Sequence, residues 1–166
     1  MIMESRLSQK DRELVMLSAS VAAGCIPCTQ YHMKAVQAAG ADTEEITEVV
    51  NTARNVKAGA NRMMVRVASE ALGLPGETEP SCFEEPTDRM TALAAIAAAV
   101  AANCPPLFHQ QVQGGRAVGV GDDEIRLVVR IGQMIRGKAT EKMDEAAEGT
   151  SAAASVPADG QCGCCS

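Results

Sequence analysis

The stretch Cys25-Ile26-Pro27-Cys28-Thr29-Gln30-Tyr31-His32 sits between two helical patterns, and its reading decides how the chain is divided. It holds two cysteines three positions apart and one of the chain's two histidines, four residues beyond the second cysteine. Upstream, Ser8 can cap a helix, and Asp11 suits the positive end of its dipole. Leu14, Leu17, Ser18 and Val21 then recur at helical spacing until Gly24 stops the run. Pro27 fits the first turn of a following helix, where its missing N–H costs nothing. That helix is expected to run through Met33 and Val36 to about Ala39, with Gly40 as its end.

Further along, Asp42 or Thr43 can cap a third helix, with Glu44 and Glu45 in its first turn and Ile46, Val49, Val50 and Ala53 on its apolar face. The pattern continues through Arg54, Lys57, Arg62 and Arg66 to about Leu72, with Gly59 as a possible division into two helices and the basic residues as a solvated face. Pro75 to Pro86 reads as an acidic, turn-rich linker. Helical periodicity resumes from Thr87, turns at Pro105-Pro106, resumes to Ala117, and opens a last long helix at Asp122-Asp123-Glu124 that is expected to fray after Glu148. From Gly149 the composition changes to Ser, Ala, Gly and Pro, read as a flexible tail ending in Cys162, Cys164 and Cys165.

Displaced by 79 residues, the two halves align without a gap. Val21-Ala22-Ala23 meets Val100-Ala101-Ala102, Cys25 meets Cys104, Pro27 meets Pro106, Gly40 meets Gly119, and Glu45-Ile46 meets Glu124-Ile125. Chance likeness between alanine-rich helices would not match the turn residues as well. Glu13 faces Ala92, Cys28 faces Leu107 and His32 faces Gln111, so the second copy keeps the scaffold and loses the candidate chemistry. The expectation is an all-α protein of two related helical units: residues 1–148 as the domain, with an active repeat over about 7–72 and a degenerate one over about 87–148, then the tail at 149–166.

Composition bounds the function. A chain of 166 residues can bury a genuine core. Aromatic residues are 2% and there is no tryptophan, so helices are expected to meet through small side chains. A formal net charge of -6 argues against a nucleic-acid partner. The most apolar run, Met90 to Ala102, is too short to span a bilayer, so no membrane partner is expected. Seven cysteines would suit a secreted disulfide scaffold, but the number is odd and Met1 to Lys10 has no apolar stretch resembling a signal peptide. The cytoplasm is the expected compartment, where CxxC means metal or redox chemistry.

A thiol attacks as its thiolate, and a helix N-terminus favours that charge. Cysteines separated by two residues can close a small disulfide there, a reversible redox pair. Cys28 and His32 are four apart and share one helix face, which suits His32 to proton transfer. Glu13 is the candidate to fix the tautomer of His32. It lies twelve residues before Cys25, about 18 Å along one straight helix, so a reversal near Gly24 is required. Tyr31 can donate a hydrogen bond nearby or simply pack. Cys25, Cys28 and His32 could instead bind zinc, with Cys104, His109 or a tail cysteine as fourth ligand, or all three could be structural. Cys82 reads as incidental, Cys104 as a buried relic of the repeat, and His109 as a surface or packing residue. The tail cysteines can bind a soft metal or metalloid, exchange thiols with Cys25–Cys28, or be dispensable.

The arrangement of Glu13, eleven intervening residues, CIPC and His32 resembles the AhpD-like alkylhydroperoxidases of the carboxymuconolactone decarboxylase superfamily. The likeness is strong over about Leu7 to Gly40 and weaker in the second repeat. It implies an all-helical homo-oligomer, a trimer first and a hexamer next. It also implies an antioxidant thiol-dependent peroxidase or disulfide oxidoreductase. Cys28 would be the peroxide-reactive thiol, Cys25 the resolving one, and Glu13 with His32 the proton relay. The implied partners are a peroxide or disulfide substrate and a dithiol electron-donor protein, with no cofactor beyond the Cys25–Cys28 disulfide. The best-known two-repeat member carries its motif in the second repeat, with a histidine inside the CxxC where this chain has Ile26-Pro27. Carboxymuconolactone decarboxylases generally lack the cysteine pair, which disfavours lactone decarboxylation. The competing reading is a non-enzymatic soft-metal or metalloid binding protein.

Overall fold

The computed structural model describes residues 7–75 and 85–152, and among them there are six α-helices and no strand. In chain order they are α1 (Gln9–Ala23), α2 (Ile26–Ala38), α3 (Thr43–Ala71), α4 (Arg89–Ala101), α5 (Pro105–Ala117) and α6 (Asp122–Ala152). The sequence readings at Cys82, Cys162, Cys164 and Cys165 lie outside the described residues.

Local chemistry sets the ends. Ser8 caps α1 in a reciprocal box with Asp11, Asp42 does the same for α3 with Glu45, and Asp88 for α4 with Thr91. Gly24, at φ 73°, closes α1 in the left-handed region, and its N–H reaches the carbonyls of Ser20 and Val21. Two expectations fail. Gly59 does not divide α3, which runs unbroken for 29 residues. Gly59 is buried beside Val56 and Ala60, and burial of that face outweighs its cost of about 1 kcal/mol as a helical glycine. Similarly, α6 continues past Glu148 to Ala152, because Ala146 and Ala147 are strong helix formers that offset Gly149.

The core is centred on α1 and α4. Helix α1 packs on α2, α3, α4 and α6, and α4 packs on α1, α3, α5 and α6. Thr91 to Ala99 are all buried, so the alanines of α4 lie in the core. Small side chains let neighbours approach closely. A Cβ on Gly132 of α6 would stand 2.8 Å from the Ala97 carbonyl oxygen and from the Val100 Cβ. Leu14, Leu17, Leu93, Ile96 and Leu107 fill the remaining space, each worth about 1.5–3 kcal/mol when fully buried.

Exchanging α1 with α4, α2 with α5 and α3 with α6 leaves the set of packed helix pairs unchanged. Polar ties follow the same exchange. Lys10 of α1 pairs with Glu45 of α3, and Arg89 of α4 pairs with Glu124 of α6. Glu45 also accepts from the Asp42 N–H at 3.0 Å, and Glu124 from the Gly121 N–H at 3.0 Å. Asn103 takes a positive φ of 55° where α1 has Gly24. Arg136 donates to its Oδ1 at 2.9 Å, while the Lys57 Nζ stands 2.7 Å from where a Cβ on Gly24 would lie.

Candidate functional site

The reversal at Gly24 brings α2 against α1, as the Glu13 reading requires. Cys25 is the N-cap of α2, with Pro27 in its first turn. Cys25 and Cys28 are joined by a disulfide, with an S–S distance of 2.04 Å and Cα atoms 5.3 Å apart. The Cys28 N–H points at the Cys25 Sγ at 3.3 Å. This is one of the N–H groups that a helix start leaves without an internal partner, so it is directed to a sulfur that can carry charge. The two sulfurs differ in access: Cys25 is 5% exposed, whereas Cys28 is half-buried at the surface.

Glu13 and His32 meet across the α1–α2 contact. Glu13 Oε2 lies 2.8 Å from His32 Nδ1, and both side chains are largely buried. Glu13 is therefore not a solvated surface residue. With the carboxylate accepting at Nδ1–H, Nε2 is left to take or give a proton. The Tyr31 ring stands edge-on to His32, centroids 5.0 Å apart and planes at 90°, and is itself exposed. Ile26 is also exposed, so the motif is bordered by two apolar side chains open to solvent.

The remaining candidates lie elsewhere. Cys104 is a buried free thiol at the start of α5, 3.7 Å from the Met63 sulfur. His109 is exposed and touches the ring of Phe108. Among the described residues no group of three or more His, Cys, Asp or Glu is gathered as a metal site. No described helix is long and apolar enough to cross a membrane. Lys57, read from the sequence as part of a solvated face, instead rests its ammonium over Gly24, next to the motif. Its match 79 residues on is Arg136, and that paired basic position was the available signal.

The family model for carboxymuconolactone decarboxylases matches residues 1–70, the span that holds Glu13, the CxxC and His32. Residues 1–70 are thus similar to the carboxymuconolactone decarboxylase family. Helices α1 to α3 are the all-helical unit carrying that match, and the resemblance drawn from Glu13, CIPC and His32 is to the same superfamily. No curated protein and no solved structure gives a significant match.

Proposed function

We propose that this protein, similar over residues 1–70 to carboxymuconolactone decarboxylases, is a thiol-dependent peroxidase or disulfide oxidoreductase that cycles the Cys25–Cys28 pair. The observation that carries the reading is the juxtaposition of a CxxC at a helix N-terminus with a Glu13–His32 contact of 2.8 Å. In the reduced protein, the more accessible Cys28 thiolate attacks the terminal oxygen of a hydroperoxide. The O–O bond breaks, the alkoxide takes a proton and leaves as the alcohol, and Cys28 becomes a sulfenic acid. The Cys25 thiolate then attacks the Cys28 sulfur, the S–O bond breaks, and hydroxide leaves with a proton as water. His32, oriented by Glu13, is the group assigned to carry those protons.

A dithiol electron-donor protein reverses the oxidation. Its thiolate attacks the more accessible Cys28 sulfur, and Cys25 leaves as a thiolate stabilised by the Cys28 N–H. The donor's second thiol attacks the mixed disulfide, releasing Cys28 and leaving the donor oxidised. A reducing cytoplasm would supply such donors. The pair itself is the redox group in this reading, with no separate cofactor. A homo-oligomer, trimer before hexamer, is proposed as the assembly.

Turnover tests the reading. Reduced protein, assayed for metal beforehand, is supplied with an organic hydroperoxide and dithiothreitol, and peroxide loss is followed. Catalytic consumption that Cys28→Ser abolishes is expected, while Cys25→Ser should still be oxidised at Cys28 but form no intramolecular disulfide. Absence of turnover in protein that retains stoichiometric metal on these cysteines would favour the non-enzymatic metal-binding reading.

A further inference from the structure

We propose that a cleft between α3, α4 and α5 binds a small organic cation carrying N–H donors, an ammonium or guanidinium compound. The cleft has a volume of about 100 Å³ and lies where the degenerate half has lost the cysteine–histidine chemistry. At its wall is Gln111, which is 3% exposed and whose Oε1 has no hydrogen-bond partner. A buried carbonyl left in that state costs about 1–3 kcal/mol, so it calls for a donor.

The neighbouring hydroxyls do not supply one. Thr52 donates to the Glu48 carbonyl at 2.9 Å, and Thr91 donates to the Asp88 carbonyl at 3.0 Å. Glu48 and Glu85, both exposed, are among the residues that line the cleft, with no lysine, arginine or histidine among its described lining residues. The unmet demand is for N–H groups at the base and positive charge beside two acids. Burial, then the charges of Asp88 and Glu44, hold Glu48 above the ordinary carboxylate range. A bound cation would offset the charges of Asp88 and Glu44.

The packing exchange argues that this polar wall is not required by the fold. Gln111 lies 79 residues after His32, and Glu48 and Thr52 have Leu127 and Ile131 at the matching positions of α6. At the matching positions one half has Leu127, Ile131 and the Glu13-paired His32, and the other has a carboxylate, a hydroxyl and an orphaned amide. The small volume favours a free ligand of a few heavy atoms.

The full-length protein is titrated with ethylammonium and with methylguanidinium chloride, with sodium and tetramethylammonium chloride as controls at equal ionic strength. Amide NMR signals of Gln111, Glu48 and Thr91 are followed. Saturable shifts with the two N–H cations alone are expected. Gln111→Leu should weaken binding about tenfold or more, and Glu48→Gln several-fold. Gln111→Glu, which keeps an acceptor, should bind at least as tightly as the parent, which guards against a Leu variant that does not fold. Shifts that do not saturate up to about 20 mM, above the millimolar affinity expected of a few contacts, would overturn the proposal. So would equal binding of tetramethylammonium, or unchanged affinity in both the Gln111→Leu and Glu48→Gln variants.

Discussion

His32 and Glu13 can be separated by substitution because they act differently on the same proton. His32→Gln keeps a polar side chain but removes the titrating nitrogen. The peroxide reaction is then expected to slow by about 100-fold or more, the usual contribution of a positioned acid–base group. Glu13→Gln keeps an acceptor for Nδ1–H and loses only the charge, so a fall of about 10–100-fold is expected, with an altered pH–rate profile. Stopped-flow rates across pH measure both; unchanged rate and profile in Glu13→Gln would remove Glu13 from the relay. The partnership was legible in the sequence because Gly24 signals a reversal and places position 13 opposite position 32. The orphaned Oε1 of Gln111 was not legible. The sequence aligns it with His32, but only the packed structure shows that no neighbour reaches it.

Helix ends were read well where a side chain both caps and signals, as at Ser8, Gly24 and Asp42. Gly59 misled because intrinsic propensity was weighed without the buried face that holds α3 together. Gly132 went unremarked, since its role exists only in the α4–α6 crossing. Gly132→Ala is expected to destabilise the protein by about 1–3 kcal/mol through overpacking against Ala97 and Val100, measured by urea unfolding. No loss would mean that the crossing yields without cost.

The Lys10–Glu45 tie between α1 and α3 was also missed, because partners 35 residues apart have no sequence signature. Its pH dependence follows from the two shifts. The hydrogen bond from Lys10, then the Asp42 N–H, holds Glu45 below the ordinary carboxylate range. That stabilisation is present above the unfolded-state carboxylate pKa of about 4.3 and is lost as pH falls through the lower folded value. The hydrogen bond to Glu45 holds Lys10 above the usual lysine value. Its contribution is whole below the unfolded value of about 10.4 and is lost as pH rises through the higher folded value. A double-mutant cycle of Lys10→Met and Glu45→Gln should therefore show coupling at neutral pH and none in strong acid. Equal coupling in both would contradict the assignment.

The all-α architecture was legible from helical periodicity. The surface available for assembly was not. The alanine run of α4 is core. Exposed apolar side chains cluster instead late in α3 and just beyond it, at Met64, Val65, Val67, Leu72 and Leu74. Covering them is the physical argument for a homo-oligomer. Light scattering of the native protein should give a trimer, and Val65→Glu with Val67→Glu should dissociate it. A monomer at all concentrations would show that this face serves another purpose.

The direct test of the redox cycle is mass spectrometry of the reduced, metal-free protein treated with one equivalent of an organic hydroperoxide in the presence of a sulfenic-acid trap. The native chain should form the Cys25–Cys28 disulfide rapidly, and Cys25→Ser should carry the trapped adduct on Cys28. Cysteines that stay reduced, or an adduct confined to Cys104, would show that the helix-terminal pair is not the peroxide-reactive group.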